Sequence, residues 1–160
     1  VLHGWQVSAM PSFISGAPSG IGWSSTVAVD TTGTPSQGSR VVVNANPVLP
    51  KSERTFQLNF RTDVFQMPAV GSLGNSAKTL IRGPGINTWD LGLFKNFPVT
   101  EFAKLQFRWE MYNAFNHTQY AGLDVTARFD GQGRQVNTQF GQFTSARNPR
   151  IMQFALRVSF

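Results

Sequence analysis

The residue types that most often perform chemistry are few in this sequence, and they lie far apart. The chain has two histidines, His3 and His117, and no cysteine. Neither histidine belongs to a His-x-x-x-His pair or to a carboxylate-rich spacing of the kind that binds a metal ion. Without cysteine, disulfides, thiolate metal sites and a cysteine nucleophile are excluded. We therefore expect no metal site, and we expect His117 to cap a loop.

Two carboxylates, Asp90 and Glu110, are the acidic residues best placed to meet, because both fall on segments that alternate as strands do. Paired carboxylates can act as general acid and general base. Arg108 and Lys95 stand close enough in the sequence to neutralise them, which favours a polar network over a catalytic pair. No Ser–His–carboxylate arrangement can be placed either. The sequence thus predicts a protein that is not an enzyme and has no cofactor.

The segment Gly71–Thr79 is superficially similar to a phosphate-binding loop. It departs from that pattern because Ala77, rather than glycine, precedes Lys78, and because its first glycine is one place too distant. We therefore expect a flexible loop here and no nucleotide site.

Composition excludes several further classes of protein. The 160 residues carry 14 Lys and Arg against 8 Asp and Glu, a net charge of +6, and 12% of them are aromatic. Few charges and many aromatic residues argue against a disordered chain. The basic residues are scattered rather than clustered, so we expect no nucleic-acid partner. No apolar run approaches the roughly 20 residues of a membrane-spanning helix, and the start at Val1 without a signal peptide suggests a chain cut from something longer.

Alternation with a period of two is the strongest structural signal, and it predicts β-strands whose two faces differ. It is clearest at the C-terminus, where every second residue from Met152 to Phe160 is apolar and the residues between them include Gln153 and Arg157. The segment that contains Trp109 repeats the pattern. Together these alternations predict four strands, at about 4–14, 86–97, 104–116 and 150–160.

Two features qualify the second of these strands. Phe94 falls among its polar positions and Lys95 among its apolar ones. The short connection that follows it contains Pro98, a residue that favours turns, and so predicts a hairpin to the next strand.

The connections between the predicted strands are very unequal in length. Residues 15–85 and 117–149 form long, Gly-, Pro-, Ser- and Asn-rich connections that are unusual in a compact soluble domain. Outer-membrane barrels combine short turns on one side with long external loops on the other. The pattern therefore favours an all-β fold of antiparallel strands and hairpins in a transmembrane barrel. The alternative is a soluble β-sandwich whose core holds the apolar faces.

Several segments of the chain resemble the end of certain TonB-dependent outer-membrane receptors, the large type with a carboxypeptidase-regulatory-like N-terminal domain. The likeness begins loosely over residues 1–18, while residues 19–73 match nothing that we can place. The segments that carry it most specifically are Gly74–Leu91, Leu93–Phe97, Glu110–His117, Phe140–Arg150 and Gln153–Phe160.

This resemblance implies a plugged barrel of about 22 strands, driven by an inner-membrane energy-transducing complex and located in the bacterial outer membrane. Residues 1–160 would then be a single region, the C-terminal part of the barrel, which closes it structurally. Its two long loops would share in ligand capture. The partners would be outer-membrane lipid and the remaining strands of the same barrel.

The resemblance also implies roles for individual residues. The final segment is similar to the terminal signal that the barrel-assembly machinery recognises, carried here by Phe154, Leu156, Val158 and Phe160. The candidates for side chains that face the barrel lumen are Arg108, Glu110, Gln153 and Arg157.

A second interpretation remains open from the sequence. Four strands alone leave two unpaired edges, so the chain could instead be an extracellular β-protein that associates with further copies of itself into a fibre or an oligomer. The sequence does not name a ligand for either interpretation.

Overall fold

The computed structural model describes residues 3–34 and 37–160. The expectation that was based on the start at Val1 concerns a residue outside these ranges. Apart from one 3₁₀ turn, Lys51–Glu53, the regular structure of the described residues is all β, which confirms the predicted fold class. No helix of the described residues is long and apolar enough to cross a membrane. In chain order the described strands are β1 (Trp5–Ile14), β2 (Pro18–Ser19), β3 (Gly22–Ser25), β4 (Val42–Val43), β5 (Phe65–Gln66), β6 (Ile81–Arg82), β7 (Ile86–Pro98), β8 (Lys104–Tyr112), β9 (Tyr120–Leu123), β10 (Thr126–Phe129), β11 (Phe143–Ala146) and β12 (Ile151–Ser159).

The four long strands form one antiparallel sheet in the order β1-β7-β8-β12. They contain 10, 13, 9 and 9 residues, close to the 9–11 residues with which a tilted strand crosses a bilayer. The chain divides into two compact units. The first comprises Gly85–Gln119, Arg147–Phe160 and the described part of residues 1–15, and it contains this sheet. The sheet is open, because its described strands do not close into a barrel.

The register of the sheet aligns apolar residues with apolar residues across all four strands. Leu93 pairs with Val7 on one side and with Trp109 on the other, and Trp109 pairs in turn with Phe154. Residues that are directly opposite in antiparallel strands point to the same face. The alternation that each segment shows separately is therefore in phase over the whole sheet.

Strand β8 ends at Tyr112, four residues before the predicted end at 116. The physical reason is Asn113, whose φ of 50° lies in the left-handed region and breaks the extended backbone. The backbone N–H of Ala114 then donates to the carbonyl of Trp89, at 2.8 Å. The predicted strand thus included the turn that leaves the sheet.

The second compact unit comprises Gly16–Pro84 and Tyr120–Ala146, nearly the whole of the two predicted loops. Its strands are short pairs, three of them antiparallel and one, β3 with β10, parallel. Phe60, Phe65 and Phe140 pack edge to face, with ring centroids 5.2–5.9 Å apart, and Val41 and Ala127 are fully buried around them. The long connections therefore contain a hydrophobic core, which the sequence analysis did not predict.

The segment Gly71–Thr79 is held in this unit by specific contacts, and the expectation of a flexible loop was wrong. The N–H of Ser76 donates to the carbonyl of Val41 at 3.2 Å, and the side chain of Asn75 bonds both backbone groups of Val43. Gly74, with a φ of +69°, lies so close to the carbonyl of Arg40 that a side chain could not fit. Gly74 therefore permits a close approach of two backbone segments.

Candidate functional site

The two faces of the four-stranded sheet differ sharply in chemistry. One face is apolar except for Lys95 and Asn87, and its apolar members are Trp5, Val7, Ala9, Pro11, Phe13, Trp89, Leu91, Leu93, Phe97, Leu105, Phe107, Trp109, Met111, Met152, Phe154, Leu156 and Val158. The other face carries the polar residues Gln6, Ser8, Ser12, Thr88, Asp90, Asn96, Gln106, Arg108, Glu110, Gln153 and Arg157. All four of the predicted lumen candidates lie on the polar face.

An ion pair occupies the centre of the polar face. Arg108 Nη2 donates to Glu110 Oε1 at 3.1 Å, and both side chains are partly exposed. Gln153 lies opposite Glu110 on the next strand. The pairing shows that Arg108 neutralises Glu110, as the sequence suggested, and it leaves Glu110 as one partner of a salt bridge rather than a free base.

Lys95 does not neutralise either carboxylate, because it lies on the opposite, apolar face. Its ammonium group stands 4.9 Å from the ring centroid of Trp5 and 5.6 Å from that of Phe97, and it donates to the carbonyl of His3 at 2.6 Å. Aromatic faces attract a cation through their quadrupole. A lysine in an apolar row is thus accommodated by rings at the end of the sheet where the short turn lies.

Phe94, an apolar residue on the polar face, covers a glycine. A Cβ on Gly92 would come within 2.9 Å of the Phe94 ring, and the guanidinium of Arg108 lies over the same ring, 5.2 Å from its centroid. Gly92, Phe94 and Arg108 therefore form one packed stack at the centre of the polar face. An aromatic ring laid over a strand glycine compensates for the missing side chain.

Replacing Gly92 by valine is expected to destabilise the protein by about 1–3 kcal/mol, because the added methyl groups displace the Phe94 ring. Urea unfolding of the protein in lipid vesicles measures this change. In a Phe94→Ala background the same substitution should cost clearly less, since the obstructing ring is gone. Equal penalties in the two backgrounds would show that the ring does not set the space at Gly92.

Aromatic residues form a row at each end of the apolar face. At one end the ring of Trp89 contacts Phe13 at 5.8 Å and Phe115 at 5.9 Å, both edge to face. At the other end lie Trp5 and Phe97, on either side of the lysine described above. Along β7 the two rows are eight residues apart, about 26 Å at the usual rise of a strand.

Two side-chain amides replace missing strand neighbours where β7 and β8 meet the long connections. Gln119 is only 6% exposed, accepts from the N–H of Asn87 at 2.8 Å and donates to its carbonyl at 2.6 Å. Asn113 accepts from the N–H of His117 at 3.0 Å and donates to its carbonyl at 3.1 Å. The ring of His117 also contacts the Gln119 amide. This amide clasp, Asn113 with Gln119, was missed from sequence, because nothing distinguishes it from other loop amides.

Replacing Gln119 by leucine is expected to remove both hydrogen bonds to the backbone of Asn87, which destabilises the protein by about 0.5–1.5 kcal/mol for each bond. Hydrogen exchange at the amide of Asn87 should accelerate as the clasp opens. Gln139→Leu is the matched control, since Gln139 is exposed. If exchange at Asn87 were the same in both variants, the clasp would not hold this strand end.

The structure also shows where His117 and Asp90 lie. His117 is held by its backbone in the amide clasp, and the described residues contain no group of three or more His, Cys, Asp or Glu residues that could hold a metal ion. Asp90 lies on the polar face, where its Oδ1 accepts from the N–H of Asn113 at 2.9 Å. Asp90 therefore helps to end β8.

A cavity of about 520 Å³ opens on the polar face at the end where both long connections leave the sheet. We call it the rim pocket. Its volume is within the range of small-molecule sites. It is an open depression, and the residues that line it are Ser12, Ile14, Ile86, Thr88, Asp90, Tyr112, Asn113, Gln119, Arg147, Asn148, Pro149 and Ile151.

Comparison with known proteins gives one match. A family model described as an outer membrane beta barrel domain matches residues 1–153, nearly the whole chain. No curated protein and no solved structure matches. The match agrees with the antiparallel strands of bilayer-crossing length and with the separation of apolar and polar faces described above. The chain therefore belongs to the family of outer membrane β-barrel domains, proteins of the bacterial outer membrane.

Proposed function

We propose that this chain supplies the last four strands of a TonB-dependent outer-membrane receptor, with its apolar face toward lipid and its polar face toward the barrel lumen. The observation that carries the proposal is the apolar face, which is continuous over four strands and is widely exposed on β1 and β12. Val7 is 73% exposed and Leu156 69%. Apolar surface of this extent is unfavourable in water and favourable against hydrocarbon.

The aromatic rows support the same placement. Rings gather at both membrane interfaces of outer-membrane barrels and flank an apolar band about 25 Å tall. Here the Trp89 row and the Phe97 row flank the apolar band in that way. Lys95 would keep its charge at the interface while its stem crosses apolar surface, as long basic side chains do near membrane boundaries.

The connections suggest which end of the sheet faces outward. Both long connections leave at the end where Ile14 pairs with Ile86 and Tyr112 with Ile151, whereas the short turn between β7 and β8 lies at the other end. Periplasmic turns are short in these barrels and external loops are long. The second compact unit would therefore be external, where it could share in ligand capture.

The sheet edges support a role in closing the barrel. Among the described residues, the outer edges of β1 and β12 have no strand neighbour. An open edge in lipid leaves backbone N–H and C=O groups unpaired, so membrane sheets close on themselves. In the proposed receptor, β12 pairs with the first strand of the barrel and β1 with the strand before it. Arg108, Glu110, Gln153 and Arg157 then face the lumen.

Cysteine labelling of intact cells tests this topology, and residues 1–160 contain no cysteine of their own. Val70→Cys, in the second unit, should react with a membrane-impermeant maleimide added outside. Phe102→Cys, in the short turn, should react only after the outer membrane is permeabilised. Both positions are highly exposed, so burial does not explain a difference. The reverse pattern would overturn the orientation.

The self-associating extracellular protein is the other candidate that the open edges favour. The two are separated by fractionation and electron microscopy of the expressed full-length protein. A receptor remains in the outer-membrane fraction and runs on gels at a position that changes on heating. Discrete fibres outside the cells would support self-association and contradict the receptor.

A further inference from the structure

The rim pocket combines charged and apolar groups that the sheet itself does not use. Asp90 contributes one carboxylate oxygen to the N–H of Asn113, which leaves its second oxygen for another donor. Arg147 is anchored through its backbone N–H, which donates to the carbonyl of Gln119 at 2.7 Å. Among the described residues, no hydrogen bond or ion pair engages its guanidinium group. The lining of the pocket therefore includes a carboxylate and a guanidinium group that are not paired with each other.

Hydroxyl groups add to this polar side of the pocket. The side chains of Ser12, Thr88 and Tyr112 line it, and within the described part of the chain they make no side-chain hydrogen bond. Thr88 and Ser12 lie directly opposite each other on neighbouring strands, so both hydroxyls belong to the same face. Partially satisfied donors and acceptors in a concave site fix the orientation of a bound ligand.

Three isoleucines form the apolar part of the rim pocket. Ile14 pairs with Ile86 across β1 and β7, and Ile151 lies opposite Tyr112. Ile151 is the one apolar side chain that contradicts the alternation of the C-terminal strand at its start. Its place in the pocket, with Ile14 and Ile86, gives a reason for an isoleucine on this mostly polar face. Aliphatic groups of this kind bind aliphatic groups of a ligand by excluding water.

We propose that the rim pocket binds a short peptide or free amino acid with an aliphatic side chain, a deeper assignment that rests on the proposed receptor function. Arg147 would bind the ligand carboxylate, Asp90 the ammonium group, and the isoleucines the aliphatic side chain. A sugar fits less well, because sugars favour aromatic platforms and Tyr112 is the single aromatic residue among those that line the pocket. The rings of Phe13, Trp89 and Phe115 lie on the apolar side. A purely anionic ligand would leave Asp90 facing negative charge.

Calorimetric titration of the full-length protein in detergent tests this, with the dipeptide Leu-Leu as the probe. Its C-terminal amide should bind about tenfold more weakly or worse, because the charge-assisted bond to Arg147 is lost. The same comparison in Arg147→Gln should show little difference. N-acetylated Leu-Leu should likewise bind the natural protein more weakly than Leu-Leu does. In Asp90→Asn the two ligands should bind with about the same weak affinity.

Matched variants separate a specific site from a general effect. Arg134→Gln is the control for charge, since Arg134 already pairs with Asp130 on the exposed surface, and it should bind Leu-Leu as the natural protein does. Ile86→Ala should weaken Leu-Leu more than Gly-Gly. Changed folding of any variant is detected by its gel mobility before and after heating.

Three results would overturn the assignment. They are no heat of binding for Leu-Leu at millimolar concentration, equal affinity for Leu-Leu and its amide, or tighter binding of glucuronic acid than of Leu-Leu. Each would leave the receptor proposal standing if cysteine labelling still showed the predicted topology. Failure of that labelling would instead overturn the receptor proposal.

Discussion

Trp109→Arg is expected to lower the free energy of unfolding in lipid vesicles by about 2–4 kcal/mol, the range for a basic residue at mid-depth on the lipid face of a barrel. Trp109 lies in the central row of the apolar face, between Leu93 and Phe154. Its ring stacks on Phe154 with centroids 5.7 Å apart. The substitution removes this aromatic contact and puts a charge where the proposal places hydrocarbon.

Gln153→Arg is the matched control for this prediction. Gln153 pairs with Glu110, one residue away along the strand from the pair of Trp109 and Phe154, so the two positions have nearly the same depth. The new arginine would face the lumen beside a carboxylate, and the stability should change by less than about 1 kcal/mol. Urea unfolding followed by tryptophan fluorescence measures both variants. Equal penalties would contradict the assignment of the faces.

The long strands were predictable because each of them has an apolar face and a more polar face along most of its length. In β12 the apolar side chains of Phe154, Leu156 and Val158 lie on one face, and the polar side chains of Gln153 and Arg157 lie on the other. Local alternation is therefore sufficient to recognise the strand. The match of an outer membrane barrel family model to residues 1–153 confirms the barrel class that this alternation favoured over a sandwich.

The core of the second unit could not be predicted, because its strands are too short to show a period. Phe60, Phe65 and Phe140 meet only after the chain has passed through the sheet and returned. Lys95 is similar in this respect, since Trp5, the nearer of the two rings that its ammonium group approaches, is 90 residues away in the sequence. Contacts between residues so far apart in the sequence leave no local signal. Lys95 therefore looks like an exception to the alternation of its strand until its partner is known.

The rim pocket was missed for a related reason. Arg147 belongs to a connection with no regular pattern, and Asp90 was considered only as a partner for Glu110. In the structure Asp90 points to the strand end instead, where Asn113 and Gln119 fix the backbone around it. Ile151 was a possible signal, because an isoleucine among polar alternating positions indicates a second apolar surface. A single residue does not say where that surface lies.

Phe160→Ala is expected to prevent most of the protein from reaching the outer membrane while leaving its folding in vesicles almost unchanged. The Phe160 side chain is fully exposed and follows the end of β12 at Ser159, so truncating it removes no packing. A surface substitution of this kind changes stability by no more than about 0.5 kcal/mol. Assembly in cells should nevertheless fail, because the proposed terminal signal for the assembly machinery includes this ring.

The two measurements separate recognition from stability. Ser159→Ala is the control, since it changes the neighbouring residue without touching the proposed signal. Phe154→Ala should differ from both, because it removes part of the proposed signal and also the ring that stacks on Trp109. Such an aromatic pair contributes about 0.5–1.5 kcal/mol in addition to the burial of apolar surface area. It should therefore be impaired in vesicles and in cells alike.

Normal outer-membrane levels of Phe160→Ala, measured by fractionation and immunoblotting, would show that this residue is not part of an assembly signal. A parallel loss of folding in vesicles would instead assign Phe160 a structural contact in the closed barrel.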